Sequence, residues 1–266
     1  SIDPASGTVV GRFADGGAAE AEAAIGAARQ AFDRGEWAAS PRLRQKVLLA
    51  WAAEMEARQD ELATLLTRDN GKALAQARGE IAASVSEVLY YAGLARHMPG
   101  HVLEPEPGGL STMLREPAGV AGIIVPWNAP AVLLVRALGP ALAAGCTVVV
   151  KPAQQTTVFN AALIAPLLRT AGLPKGVVNV IAETGHEGSR LIAASHDVDV
   201  ISFTGSTSVG KDIMRNAADS VKKLSLELGG KSCCIVFPDA DIDVVAPRIA
   251  AAATIISGQQ CTAARR

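Results

Sequence analysis

The sequence has no apolar run long enough to cross a bilayer. Its longer apolar stretches, such as Val120 to Val125 and Thr147 to Val150, are far short of about 20 residues and are cut by proline and charge, so a soluble protein with no membrane partner is expected. Nor is there a run of one charge sign. The 25 Lys and Arg are interspersed with 26 Asp and Glu for a formal net charge of −1, which argues against a nucleic-acid groove or an anionic membrane surface. Cysteine is scarce, and the four present (Cys146, Cys233, Cys234 and Cys261) show no zinc-ligand spacing and no disulfide framework. Two of them are adjacent inside an apolar run, which suits a reduced, cytoplasmic setting, and Cys146, Cys233 and Cys234 read as small buried hydrophobes. No G-x-G-x-x-G follows any expected strand, so an ordinary Rossmann phosphate turn is excluded. The start, Ser1-Ile2-Asp3-Pro4, lacks both an initiator methionine and a basic-then-apolar signal; it reads as a processed start or an excerpt and leaves targeting open.

What is present is a chain of 266 residues, about half of them hydrophobic, enough for one large α/β domain or two modest ones. A first helix is expected over Ala18 to Arg34, with Ile25, Ala28 and Phe32 on one buried stripe. Ser40-Pro41 caps and starts a long second helix ending near Gly71, and a third runs from about Ala75 to Met98. Pro99 to Pro117 is richer in proline and glycine and reads as extended strand around a turn, an excursion from the globule. From Gly119 strands and helices alternate: strands at Gly119–Val125, Thr147–Lys151, Val177–Ile181, Val198–Phe203 and Lys223–Leu228, an apolar run at Ser232–Phe237, and a helix from Ile242 to Ile256. Apolar strands separated by single helices predict a doubly wound parallel sheet preceded by a helical layer, with ligands at the strand C-terminal ends.

The unusual polar residues fall at those ends. Asn128, in the proline-bracketed turn Pro126-Trp127-Asn128-Ala129-Pro130, offers either a fixed amide donor for an oxyanion or a cap for the next helix. Lys151 and Gln154 follow the second strand and could hydrogen-bond sugar hydroxyls, although a strand-end lysine is most often merely solvated. Thr204-Gly205-Ser206 opens a helix directly after a strand, where free N–H groups suit a phosphate. The stretch to Lys211 is close to a Walker A motif, but Asp212 stands where that motif needs a hydroxyl for magnesium, which disfavours an ATPase. Glu227, among leucines, reads as a buried carboxylate tuned toward general-base work, with a strand-edge partner of Lys231 as the plainer alternative. Cys261, in Ser257-Gly258-Gln259-Gln260-Cys261-Thr262-Ala263, reads as a nucleophile or as one more small hydrophobe.

Five motifs together, Pro126-Trp127-Asn128, Lys151-Pro152, Phe203 to Thr207, Glu227-Leu228-Gly229-Gly230-Lys231 and Gly258-Gln259-Gln260-Cys261, resemble the N-terminal half of the aldehyde dehydrogenase superfamily, in its order and at its spacing. The resemblance covers the whole chain. It implies a Rossmann-like cofactor domain at 1–98 and 119–228, an extended oligomerisation arm at 99–118, and the beginning of a second α/β catalytic domain at 229–266. It implies NAD(P)-dependent oxidation of a small-molecule aldehyde to an acid, with Cys261 attacking the carbonyl and Asn128 and a backbone N–H holding the oxyanion. A thioester then forms and is hydrolysed by water that Glu227 deprotonates.

By the same resemblance Lys151 and Gln154 hold the adenosine ribose, Trp127 lines the cofactor cleft, Gly205 and Ser206 meet the pyrophosphate, and Leu228 belongs to the cofactor site. Gln154 stands where many members carry glutamate; losing that charge leaves NADP open beside NAD, and Ser208 points the same way. Substrate-pocket positions include Leu133 and Arg136, and the aldehyde itself is not legible. Members continue for roughly as much again past the cysteine, so an isolated chain ending at Arg266 is expected to be inactive and prone to associate, and the complete protein to be a homo-oligomer. Two alternatives stand beside the hydrolytic reading: a CoA-acylating relative, disfavoured by the presence of Glu227, and a non-catalytic nucleotide-binding chain of the same fold.

Overall fold

A computed structural model of the chain describes residues 1–264 and 266. Helix α1 (Ala18–Arg34) starts at a capping box in which the Glu20 carboxylate accepts the Gly17 N–H, and it ends at Gly35 in the left-handed region. Ile25 and Ala28 are buried as the periodicity predicts, together with Ala21 and Ala31, whereas Phe32, expected on the same stripe, is only half-buried. The expected long second helix is two helices, α2 (Pro41–Ala57) and α3 (Gln59–Asn70), which meet at Arg58. No proline or glycine marks the break. The Arg58 guanidinium clasps Glu61 in the first turn of α3, and both helices pack on α4 (Leu74–Leu94) and on α6 (Thr157–Arg169).

The segment at 99–118 forms an antiparallel hairpin of β1 (His101–Leu103) and β2 (Ser111–Met113), every residue of which is exposed. A five-stranded parallel sheet follows: β3 (Val120–Ile124), β4 (Thr147–Lys151), β5 (Val178–Val180), β6 (Val200–Thr204) and β7 (Lys223–Glu227), in the spatial order β5-β4-β3-β6-β7. The order reverses between β3 and β6, the position at which doubly wound sheets open a crevice at their C-terminal edge.

β3 and β4 are buried along their whole length, while the edge strand β7 alternates exposed and half-buried residues. The pleat divides the sheet between two cores. Val148 and Val150 face one built with α2, α3, α4, α5 (Pro130–Ala144) and α6; Val149 faces the other, built with α1, α7 (Glu187–Ala194) and α8 (Thr207–Ala217). Cys146 lies in the first core.

Beyond β7 the expectations need correction. Cys233 and Cys234, expected as small buried hydrophobes, are exposed, as are Ile235 and Phe237, and the apolar run Ser232–Phe237 forms no strand. A strand requires a neighbour to take its N–H and C=O groups, and among the described residues this run finds only two backbone bonds to Arg266. α9 (Ile242–Thr254) carries no buried residue. Among the described residues, no helix is long and apolar enough to cross a membrane.

Candidate active site

A cleft of about 680 Å³ opens at the C-terminal ends of β3, β4 and β6, on the crevice that the strand order predicts. Its volume is in the range of small-molecule and cofactor sites. Trp127, Lys151, Gln154, Gly205 and Ser206 all line it. Leu228 does not. Its side chain packs on α8, where a Cβ at Gly210 would stand 2.5 Å from Leu228 Cδ2.

The elements explain each placement. Lys151 is the last residue of β4, buried with its Nζ 3.7 Å from Glu183 Oε1, and that carboxylate also accepts the N–H groups of Gly188 and Ser189 at the start of α7. Burial pushes the Lys151 pKa below its ordinary 10.5, and the charge of Glu183 opposes that shift. The solvated strand-end lysine of the plainer reading is therefore not what the structure contains. Ser206 caps α8, its hydroxyl accepting the Val209 N–H at 3.3 Å, so the helix presents its N-terminal donors to the cleft. A Cβ at Gly205 would stand 2.5 Å from the Phe203 ring, so any larger residue at this corner must displace that ring. Asp212 is paired with Arg215 at 2.6 Å, and no cluster of three or more His, Cys, Asp or Glu among the described residues could hold a metal.

Trp127 and Asn128 project from the turn between β3 and α5. The Asn128 amide nitrogen donates to the carbonyl of Gln259 at 2.8 Å, two residues before Cys261. An amide nitrogen has two protons, so one remains for another acceptor. A small crevice lined by Asn70, Lys72, Asn128, Ser257 and Gln259 separates this turn from the segment leading to the cysteine. Ile256 and Ser257 sit there at φ 51° and 52°, the left-handed region that non-glycine residues seldom occupy. Cys261 is exposed, and its carbonyl accepts a bond from the Ser232 hydroxyl at 3.4 Å.

Glu227 departs from its expected burial. It ends the edge strand β7 and is exposed, while its backbone carbonyl accepts the Gly205 N–H at 2.9 Å. Alternation accounts for this: Leu224 and Leu226 pack on the second core, so Ser225 and Glu227 point to the opposite face. Apolar sequence neighbours therefore do not bury it. Neither Glu227 nor Cys261 lines the cleft or the small crevice. Arg136, an expected substrate-pocket position, is paired with Glu87 at 3.0 Å.

Four residues were missed by reading the sequence: Glu183, which holds Lys151, and Asn70, Lys72 and Glu80, which hold the Asn128 turn. The available signals were a carboxylate just past the third parallel strand and an Asn-Gly-Lys helix end.

The aldehyde dehydrogenase family model matches residues 1–266. Aldehyde dehydrogenase 1 of Tanacetum cinerariifolium is 43% identical, with 100% of this chain and 54% of that protein covered. Betaine aldehyde dehydrogenase of Bacillus subtilis is 40% identical, and the NADP/NAD-dependent aldehyde dehydrogenase PuuC of Escherichia coli 39%, each covering 100% of this chain and 54% of its own length. The solved structure of betaine aldehyde dehydrogenase from Staphylococcus aureus in complex with NAD+ superposes with a TM-score of 0.94 at 35% identity, over 98% of this chain and 52% of that one. The chain thus spans about half the length of the relatives it matches.

Proposed function

The chain belongs to the aldehyde dehydrogenase family, and from that premise we propose that it supplies the cofactor cleft and the nucleophile for NAD(P)-dependent oxidation of an aldehyde to a carboxylic acid. The observation that carries the proposal is the joining of two sites by one turn: Trp127 walls the dinucleotide-sized cleft, while the adjacent Asn128 reaches the backbone beside Cys261.

The cleft fits a dinucleotide on its own chemistry. The α8 N-terminus and Gly205 offer donors and close backbone approach for a pyrophosphate, and Lys151 and Gln154 offer hydrogen bonds to ribose hydroxyls. Gln154 places no negative charge against a 2′-phosphate, so the assignment is NAD with NADP accepted. When bound, the nicotinamide supplies the hydride acceptor.

In the reaction the Cys261 sulfur, as thiolate, forms a bond to the aldehyde carbon. The free Asn128 proton and a backbone N–H near Cys261 stabilise the resulting alkoxide. Its collapse expels hydride and leaves a thioester on Cys261. Water then adds as Glu227 takes its proton, the C–S bond breaks, and the acid leaves with the thiolate restored. Glu227 lies on the exposed face of β7, the edge strand of the sheet, where water reaches it.

In the same reading, 1–98 and 119–228 form the cofactor-binding domain, 99–118 an oligomerisation arm of a homo-oligomer, and 229–266 the start of the catalytic domain. The four free cysteines fit a cytoplasmic setting. The test is product analysis on the natural protein that contains these residues, across a panel of aldehydes with NAD and NADP. Acid formed without CoA, and lost in Cys261→Ser with cofactor binding retained, is expected. Acyl-CoA as the product, or turnover by Cys261→Ser, would overturn the assignment.

A further inference from the structure

Four consecutive backbone carbonyls in the turn that carries Asn128 are all engaged, three of them by side chains from distant parts of the chain. Asn70 Nδ2 donates to Trp127 O at 3.1 Å, Lys72 Nζ to Asn128 O at 2.9 Å, and Asn160 Nδ2 to Pro130 O at 3.0 Å; Ala129 O accepts the Leu133 N–H at 3.1 Å within α5. Prolines at 126 and 130 supply no N–H, so the turn cannot close a dense network of its own.

Lys72 and Glu80 form the central strut. Their side chains are 1% and 7% exposed and are bonded to each other. The two charges act on opposite ends of the same turn. The lysine takes the Asn128 carbonyl, and Glu80 Oε1 accepts the N–H groups of Ala131 at 2.8 Å and Val132 at 3.3 Å, in the first turn of α5. Ala129, the N-cap of α5, has no side chain able to do so. Burying an ion pair costs desolvation that an apolar pair of equal volume avoids, so stability alone does not account for it. What this geometry provides is a fixed plane for the 128 peptide, and with it a fixed origin for the Asn128 side chain. Asn70 completes the device, since its Oδ1 accepts the Lys72 N–H at 3.0 Å while its Nδ2 holds Trp127.

We infer that the buried Lys72–Glu80 pair, with Asn70, positions the Asn128 amide for the oxyanion. The inference rests on the oxyanion role proposed above for Asn128. These three are positioning residues, acting on the reaction only through the turn. A donor displaced by about 1 Å from a developing charge can cost about 100-fold in rate, so a loosened turn is read in the acylation step and not in cofactor affinity.

The test uses the natural protein and the single-turnover rate of NADH formation. Asn128→Ala is expected to slow it about 100-fold. Lys72→Met combined with Glu80→Gln, which leaves no unpaired buried charge and keeps an acceptor for α5, is expected to slow it about 10-fold or more, with aldehyde KM and NAD Kd within about 2-fold of wild type. Added to Asn128→Ala, the paired substitution should give no further loss. A wild-type rate in the paired variant, or a loss that multiplies with that of Asn128→Ala, overturns the positioning role. A wild-type rate in Asn128→Ala overturns the oxyanion reading itself, a result seen in that single variant alone. If the paired variant does not fold, Asn70→Ala is judged by the same criteria.

Discussion

Lys151 and Glu183 are both buried, so removing one charge strands the other in the cleft wall. At 3.7 Å and an effective dielectric of about 20, their attraction is about 4 kcal/mol before desolvation is counted. Breaking such a pair from one side costs about 3–5 kcal/mol. Lys151→Met should fall at the lower end, because Glu183 keeps its two bonds from the N–H groups of Gly188 and Ser189. Glu183→Gln should fall at the upper end: the new side chain can still cap α7, but the buried ammonium loses its counter-charge. The double variant should be more stable than either single, since no charge is left unpaired. Urea unfolding of the natural protein that contains these residues measures all four corners of this cycle, and NAD titration of the same samples separates folding from function. The double variant should regain stability and still bind NAD about 10-fold more weakly than wild type, if Lys151 holds the ribose as proposed above. Single-variant costs that simply add, or a double variant with wild-type NAD affinity, would refute the reasoning.

Three further predictions concern the cysteines and the cleft. Iodoacetamide should label Cys233, Cys234 and Cys261 in the native chain and reach Cys146 only on unfolding, as peptide mass spectrometry would show. Burial holds the Cys146 thiol above its ordinary 9.0, so it stays protonated in the fold while the unfolded chain ionises; wild type should lose stability relative to Cys146→Ala as pH rises past 9.0, and a gap that widens in favour of wild type would contradict this. Gln154→Glu places a carboxylate on the cleft wall and should weaken NADP binding about 10-fold with little change for NAD, measured by calorimetry.

Much of this was legible where local chemistry decides the outcome. The burial of Ile25 and Ala28, the buried valines of Thr147–Lys151, and the collection of Trp127, Lys151 and Ser206 at strand ends follow from periodicity and from strands that alternate with helices. The break at Arg58 was not legible, because helix formers continue through it and no proline or glycine marks it. Glu227 was misjudged by counting leucines next to it in sequence, when the residues that share its face of β7 are Ser225 and Lys223. The pairs Lys72–Glu80 and Lys151–Glu183 join residues that the sequence separates and only the tertiary fold brings within bonding distance.

The central claim, that Cys261 carries the acyl group and Glu227 releases it, is tested most directly by Glu227→Gln in the natural protein mixed with aldehyde and NAD. The account predicts one equivalent of NADH followed by arrest, and an acyl mass on the peptide containing Cys261. Continued NADH production, or an acyl group on any other residue, would contradict it.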